Sequence, residues 1–168
     1  MHRALVVLMV IMLPGCGGQQ QSQRVGEAHP EVMALGWVDR TVLEQPQFSQ
    51  FKSNYDSAQV DQEMVSLIRQ VSDSVDWLVF FGSWCGDSKE HVPRFLKIAD
   101  VAGISNKRIR LYGLDRSMKS TEGLEKKYQI RSVPTFICLK AGKEIGRITE
   151  APTVSMEADI LAILAAAP

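Results

Sequence analysis

The chain has 168 residues, the length of one ordinary domain, and its 45% apolar and 23% charged residues are typical of a globular protein. Nineteen basic residues balance nineteen acidic ones, so the composition lacks the basic excess expected of a protein that binds nucleic acid. Three cysteines are too few for a disulfide-stapled small fold or a four-thiolate zinc site, and we expect no metal and no cofactor.

The N-terminus has the pattern of an export signal. Arg3 precedes an apolar run over residues 4–13, which as a helix would span only about 15 Å and is too short to cross a bilayer. The run ends in Leu-Pro-Gly-Cys at Cys16, which resembles the lipobox of bacterial lipoproteins, although Pro14 stands where that motif has a small residue. The resemblance implies cleavage before Cys16 and lipid attachment to it. The alternatives are a signal cleaved without lipidation and an uncleaved anchor.

Composition divides the chain into three parts. Residues 1–15 are the predicted signal peptide, residues 16–45 a polar tether with an N-terminal extension, and residues 46–168 the folded domain. The low-complexity stretch 17–23 is typical of a flexible linker. We therefore expect a lipid anchor on the periplasmic side of the cell envelope. Gly17, where inner-membrane lipoproteins carry aspartate, favours the outer membrane in a cell with two membranes.

Two amphipathic helices are predicted before the first long strand. Their apolar positions recur every three or four residues, which favours packing against a core over a ligand-binding stripe. The positions expected to face the core are Phe48, Phe51 and Tyr55 in the first helix, and Met64, Leu67 and Ile68 in the second, which covers residues 60–69.

Strands and helices alternate along the rest of the chain. The apolar run over residues 77–81 is typical of a strand buried on both faces. The other predicted elements are a helix over 86–101 with a kink at Pro93, a strand over 109–114, a short helix over 121–128, a hairpin of strands 136–140 and 144–148, and a helix over 156–167. This order predicts an α/β fold with a mixed sheet covered on both faces.

Cys85 lies where the buried strand ends and a helix begins. A thiol at a helix N-terminus faces unpaired backbone N–H groups and the positive end of the helix dipole, both of which favour the thiolate. The thiolate is the nucleophile in disulfide exchange, so this position favours a reactive cysteine.

The segment Trp84-Cys85-Gly86-Asp87-Ser88 resembles the Trp-Cys-Gly-Pro-Cys site of the thioredoxin superfamily, and also the site of a group of bacterial exported thioredoxin-like proteins. Further matches follow in the family's order: a proline within the next helix, a Val-Pro pair before a strand, and a hairpin turn. These are Pro93, Val133-Pro134 and residues 140–144. The resemblance covers residues 60–164. It implies a thioredoxin-like fold, with a central mixed sheet flanked by helices on both faces.

The same resemblance implies how the site is built. It places Pro134, after a cis peptide bond, opposite Cys85, and it makes Trp84, Gly86, Val133 and Pro134 the substrate-binding groove. The alternative for Pro134 is a trans proline that opens an edge strand.

Three positions depart from the family pattern. Ser88 replaces the second, resolving cysteine, and its hydroxyl can hydrogen-bond the Cys85 thiolate but cannot attack a mixed disulfide. Asp87 replaces the motif proline, and its charge opposes thiolate formation, with Lys89 as a partial counterweight. Val79 occupies the position of a buried aspartate that many thioredoxins use for proton transfer. Asp87 is then the nearest candidate for a general base, and a weak one.

No other cysteine or histidine completes the site. Cys138 lies in an apolar strand and is expected to be buried, about 13 Å along the chain from Pro134 and out of reach of Cys85. Cys16 would carry lipid. His91 lies nearly two helical turns beyond Cys85 and is expected to face solvent.

These features predict a lipid-anchored, single-cysteine thiol–disulfide exchange protein whose partners are protein thiols and disulfides. Cys85 attacks a disulfide, and a second thiol from the substrate, a partner protein or a small thiol releases the mixed disulfide. Because exported compartments are oxidising, an unidentified reductant or low-molecular-weight thiol is implied. The alternatives are a redox-inactive peptide- or protein-binding module of the envelope, and a structural envelope lipoprotein, which leaves the placement of Cys85 unexplained.

Overall fold

The computed structural model describes residues 31–72 and 74–166, which belong to one compact unit that begins at Glu31. The predicted signal peptide and Cys16 lie outside the described residues. Residues 31–45 were expected to form an extension before a domain that begins at residue 46. The structure instead includes them in the compact unit, where they supply its first strand.

The described residues of the unit form five strands and five α-helices. The strands are β1 (Gly36–Val38), β2 (Val75–Phe81), β3 (Ile109–Gly113), β4 (Thr135–Lys140) and β5 (Lys143–Thr149). The helices are α1 (Ser49–Ser57), α2 (Gln62–Val71), α3 (Gly86–Ala102), α4 (Leu124–Lys127) and α5 (Met156–Ala165), and short 3₁₀ helices lie at Arg40–Glu44, Pro46–Phe48 and Asn106–Arg108.

The strands form one mixed sheet in the order β1-β3-β2-β4-β5. The central strand β2 runs parallel to β3 and antiparallel to β4, and the two edge strands pair antiparallel with their neighbours. The predicted mixed sheet is therefore confirmed, and its parallel pair is joined by α3, as a crossover connection requires.

Alternate residues of β2 face two separate apolar clusters. Trp77, Val79 and Phe81 belong to a cluster that includes buried residues of α1, α2, α3 and α5. Leu78 and Phe80 belong to a second cluster, which is covered by the chain between β3 and β4, including the four-residue helix α4. Among residues 31–72 and 74–166, the sheet is thus covered on both faces, one by four helices and the other by a single turn of helix.

Two helices differ from their predicted form. In α2 the buried residues are Val65 and Ile68, whereas Leu67, predicted to face the core, is 42% exposed. Leu67 lies about 200° around the helix from Val65, so burying Val65 turns Leu67 toward solvent. Helix α4 begins only after Gly123, whose φ of +67° interrupts the helix predicted from residue 121.

A polar cluster ties the N-terminal part of the unit to α3. Both Asp100 carboxylate oxygens accept hydrogen bonds from the Arg40 guanidinium, at 2.7 and 2.5 Å, and Tyr55 Oη donates to Asp100 at 2.6 Å. Burial raises the pKa of Asp100, but these hydrogen bonds outweigh it and hold the pKa below its ordinary value. Tyr55, predicted as a core residue, is partly buried and reaches this cluster through its hydroxyl.

Candidate active site

Cys85 follows β2 and is the N-cap residue of α3. Its backbone is extended, with φ −84° and ψ 131°, and its N–H donates to Gly82 O at 2.9 Å, so the loop turns sharply between strand and helix. The residue is partly exposed and is a free thiol. The predicted position at a strand end and a helix N-terminus is therefore observed.

The cysteine faces the loop before β4. The Val133–Pro134 peptide bond is cis, and Cys85 Sγ lies 3.3 Å from Val133 O, to which the thiol donates. The structure thus agrees with the predicted cis bond and with the placement of this loop opposite Cys85. Within residues 31–72 and 74–166, the Val133 N–H has no hydrogen-bond partner, so it is available to a bound segment.

Trp84 forms one side of the site and is held by three contacts. Its indole Nε1 donates to Leu114 O at 2.9 Å, and the ring lies over Gly82, where an added Cβ would come within 2.7 Å of it. The Arg116 guanidinium lies 5.1 Å from the Trp84 ring centroid and forms an ion pair with Glu31 at 2.7 Å. Arg116 and Glu31 were not identified from the sequence.

The N-terminal segment, residues 31–41, also contacts the loop between β2 and α3. The Ala34 N–H donates to Ser83 Oγ at 3.0 Å, and both groups are buried. The Ala34 carbonyl lies against Gly113, where a Cβ would be only 2.0 Å from the oxygen, so a glycine is needed at this point. Ser83 was not predicted as a site residue, and it has no sequence signal besides its place beside Trp84.

Ser88 is fully buried, and its hydroxyl holds the loop in place. Ser88 Oγ accepts a hydrogen bond from the Gly82 N–H at 3.1 Å. Among the described residues Ser88 makes no hydrogen bond with Cys85, so the hydrogen bond considered from the sequence is not observed here. Ser88 therefore shapes the backbone that precedes Cys85.

The other two residues of the motif are exposed. Gly86 and Asp87 occupy the first turn of α3 on the protein surface. In the part of the chain that the structure describes, the Asp87 carboxylate has neither a hydrogen bond nor an ion pair. Lys89, expected to offset Asp87, makes no ion pair with it, and its carbonyl accepts a hydrogen bond from Asn54 Nδ2 at 2.7 Å. Asp87 thus places an unpaired negative charge two residues from Cys85.

Cys138 lies on the opposite face of the sheet. It belongs to the four-helix cluster, whereas Cys85 packs against the other cluster. Burial, with a smaller contribution from Asp76, raises the pKa of Cys138 from an ordinary value of 9.0 to about 12. Both cysteines are free, so the expectation of a buried, unpaired Cys138 agrees with the structure.

The surroundings of Val79 and His91 complete the description of the site. Val79 is fully buried among apolar side chains. It therefore cannot transfer a proton as the aspartate found at this position in many thioredoxins does. His91, expected to face solvent, is partly buried, and its Nδ1 is buried with no hydrogen-bond partner. Residues 31–72 and 74–166 contain no cluster of three metal-ligating side chains, and none of their helices has the length and apolar character needed to cross a bilayer.

The comparisons with known proteins agree with this geometry. Residues 42–162 match the family model described as thioredoxin. The chain belongs to the thioredoxin family. Its thioredoxin-like α/β fold is therefore confirmed, and the family-level function is thiol–disulfide redox chemistry. The match begins after β1, so Glu31, which pairs with Arg116, and Ala34, which donates to Ser83, both lie outside it.

The curated relatives are similar over the central part of the chain. A thioredoxin-like protein of Acanthamoeba polyphaga mimivirus is 30% identical over 82 residues, which is 49% of this chain and 57% of that protein. The thioredoxin of Echinococcus granulosus is 31% identical over 72 residues, which is 43% of this chain and 62% of that protein. The chain thus spans less than two thirds of the length of both relatives.

One solved structure illustrates the likeness of fold. A protein of unknown function from Pseudomonas aeruginosa superposes with a TM-score of 0.53 and 15% identity, over 71% of this chain and 82% of that one. At this identity the superposition supports the fold alone.

Proposed function

We propose that this chain is a single-cysteine thiol–disulfide exchange protein that acts through Cys85. One observation carries the proposal. Cys85 is a partly exposed thiol at the N-terminus of α3, facing a cis-proline loop, while Cys138 lies on the opposite face of the sheet. Cys138 is the other free thiol of the described residues, so within residues 31–72 and 74–166 no thiol is placed to resolve a mixed disulfide on Cys85.

The proposed reaction has two exchange steps. The Cys85 thiolate attacks one sulfur of a client disulfide, forming a Cys85–client disulfide and releasing the client's other sulfur as a thiolate, which takes up a proton from water. A second thiolate then attacks the client sulfur of this mixed disulfide, which releases Cys85 as a thiolate. If the second thiolate belongs to the client, the result is isomerisation with no net electron transfer. If two external thiols act, the client gains two electrons and those thiols become a disulfide.

The groove residues have separate parts in this reaction. Trp84 and the loop of Val133 and Pro134 flank the sulfur, and the free Val133 N–H offers a hydrogen bond to the backbone of an extended client. The Cys85 proton, which points to Val133 O, leaves to water or to a partner, since Val79 supplies no carboxylate.

The proposal also includes a location. We infer from the signal-like N-terminus that Cys16 carries lipid and that the domain acts on the periplasmic side of the envelope, with a reductant or small thiol keeping Cys85 reduced. The test is metabolic labelling with a fatty acid analogue in cells that express the full chain or Cys16→Ser. Label on the wild type alone supports lipidation, and equal labelling of both would contradict it.

Trapping on the full chain tests the exchange activity itself. The protein is incubated with a disulfide-bonded peptide, quenched in acid and analysed by mass spectrometry. We expect peptide adducts at Cys85, their loss in Cys85→Ala, and their retention in Cys138→Ala. Absence of Cys85 adducts with peptides and small disulfides alike would overturn the proposal.

A redox-inactive binding module is the second candidate, and the unpaired charge of Asp87 beside Cys85 is the observation that favours it. The two functions differ in what Cys85→Ala does to client binding. An exchange protein loses its acid-stable adducts and its cellular role, whereas a module keeps the same clients, bound without a covalent bond.

A further inference from the structure

A groove of about 650 Å³ lies beside the cis-proline loop, on the face of the sheet that α4 covers. Thr135, which follows Pro134, lines one end of it, and the groove continues between α4 and β5. It lies on the same face as Cys85, because Thr135 pairs in register with Phe80 of the cluster that Cys85 contacts. The groove therefore extends the proposed active site.

Basic side chains dominate the charge of this groove. Lys127, Arg131 and Arg147 line it together with a single acidic residue, Glu144. Glu144 is already occupied, because both of its carboxylate oxygens accept hydrogen bonds from Arg147, at 2.6 Å each. A third bond, from Arg147 Nη1 to Tyr128 O at 3.1 Å, fixes that guanidinium in place.

The two remaining cations are uncompensated. Lys127 Nζ lies 5.3 Å from the Tyr128 ring centroid, and neither Lys127 nor Arg131 has an ion pair within residues 31–72 and 74–166. Both residues are exposed. The lining of the groove thus has two unpaired positive charges, and a concave site concentrates their field on a bound anion.

The distance from Cys85 fits an extended client. Arg131 is two residues before Val133, whose carbonyl lies 3.3 Å from Cys85 Sγ, so it lies within about 7 Å of Val133 along the chain. An extended segment rises about 3.3 Å per residue. A client bound along this loop would bring side chains two to four positions from its reacting cysteine over the groove. Asp87 is unpaired beside Cys85 and disfavours an acidic residue immediately next to that cysteine.

We propose that this groove is a subsite for carboxylate side chains of disulfide clients, located two to four residues from the attacked cysteine. The inference rests on the proposed exchange function and adds a substrate class to it. A small anionic thiol offers the same carboxylate chemistry, and the experiment separates the two sources.

The test uses peptides whose single cysteine is activated as a neutral pyridyl disulfide. Glu, Gln or Lys occupies the positions two to four residues from the cysteine, in one series before it and in another after it. The release of thiopyridone measures the rate of Cys85 attack by the full chain. In one of the two series, we expect the Glu peptide to react with Cys85 fastest and the Lys peptide slowest. Lys127→Gln and Arg131→Gln should each reduce the advantage of the Glu peptide roughly two- to fivefold, less at high salt.

Lys107→Gln is the matched control, because Lys107 is an exposed cation before the start of β3, at the end of the sheet opposite Cys85. It should leave the order of the peptides unchanged. Equal rates for all three peptides, with Cys85 still required, would overturn the subsite and leave the exchange function standing. No reaction at Cys85 would overturn both. A further outcome is that Cys85 reacts faster with glutathione disulfide than with its ethyl ester while the three peptides react at equal rates. That result would assign the groove to small thiols and reject the client subsite.

Discussion

The α3 N-terminus and Asp87 have opposite electrostatic effects on the Cys85 thiolate. The N-terminus of α3 stabilises a thiolate through its free N–H groups and dipole, whereas the unpaired carboxylate of Asp87 repels it from two residues away. The Trp-Cys-Gly-Pro-Cys motif has an uncharged proline at that position, so the opposing charge of Asp87 is a departure from that motif. The rate at which Cys85 is alkylated measures how much Asp87 reduces the fraction of Cys85 present as thiolate.

We predict that Asp87→Asn increases the alkylation rate of Cys85 by iodoacetamide at pH 7 by up to about fivefold, because removing a surface charge near the sulfur is worth about 1 kcal/mol or less. Iodoacetamide is neutral, so the reagent itself is not steered by the change. Glu90→Gln is the control, since Glu90 is also exposed on α3 but one turn farther from Cys85. An equal rate increase in both variants would show that Asp87 has no special effect.

Cys138 should be unreactive in the folded protein. Its pKa of about 12 keeps it protonated, whereas an unfolded cysteine ionises near 9.0. Because the folded pKa is raised, the stability contribution is complete below pH 9 and is lost as pH rises from 9 toward 12. We predict that the free energy of unfolding falls more steeply over this window in the wild type than in Cys138→Ala, by up to about 1.4 kcal/mol per pH unit. Parallel curves would show that the thiol is not desolvated.

Local sequence patterns predicted the strands and helices that depend on residues near them in the chain, and missed those that depend on distant partners. The apolar run of β2, the helix of α3 and the β4–β5 hairpin were all predictable from periodicity and turn residues. Strand β1 was not, because its three residues carry no alternating pattern and are stabilised by pairing with β3, more than 70 residues later. The contacts of Ser83 and Arg116 escaped prediction for the same reason, since their partners lie 49 and 85 residues away.

The N-terminal segment is part of the active-site structure in this chain. Ser83→Ala would leave the buried Ala34 N–H without an acceptor, which costs about 1–3 kcal/mol. We predict a matching loss in the free energy of unfolding and faster amide hydrogen exchange at Ala34, measured by NMR. Ser105→Ala, which removes an exposed cap at Asn106–Arg108, should leave exchange at Ala34 unchanged. Unchanged exchange at Ala34 in Ser83→Ala would show that the segment is held by other contacts.

At the scale of the molecule, the unequal covering of the two sheet faces explains the layout of the site. Four helices bury one face together with Cys138. The other face, which α4 alone covers among the helices of the described residues, leaves Cys85 and the basic groove accessible. The position of Cys85 was predictable from the strand–helix junction. The groove was not, because Arg131 and Arg147 come together only when β4 and β5 pair beside α4.

The lifetime of the Cys85 mixed disulfide shows whether the chain acts with a single cysteine. The full chain is loaded with a peptide through Cys85, and peptide release is followed with and without an added small thiol. We expect the wild-type adduct to persist until the thiol is added. Ser88→Cys should release the peptide unaided, because residues three apart at a helix start lie within disulfide range. Unaided release by the wild type at the rate of Ser88→Cys would contradict a single-cysteine function, since it would mean that the chain resolves its own mixed disulfide.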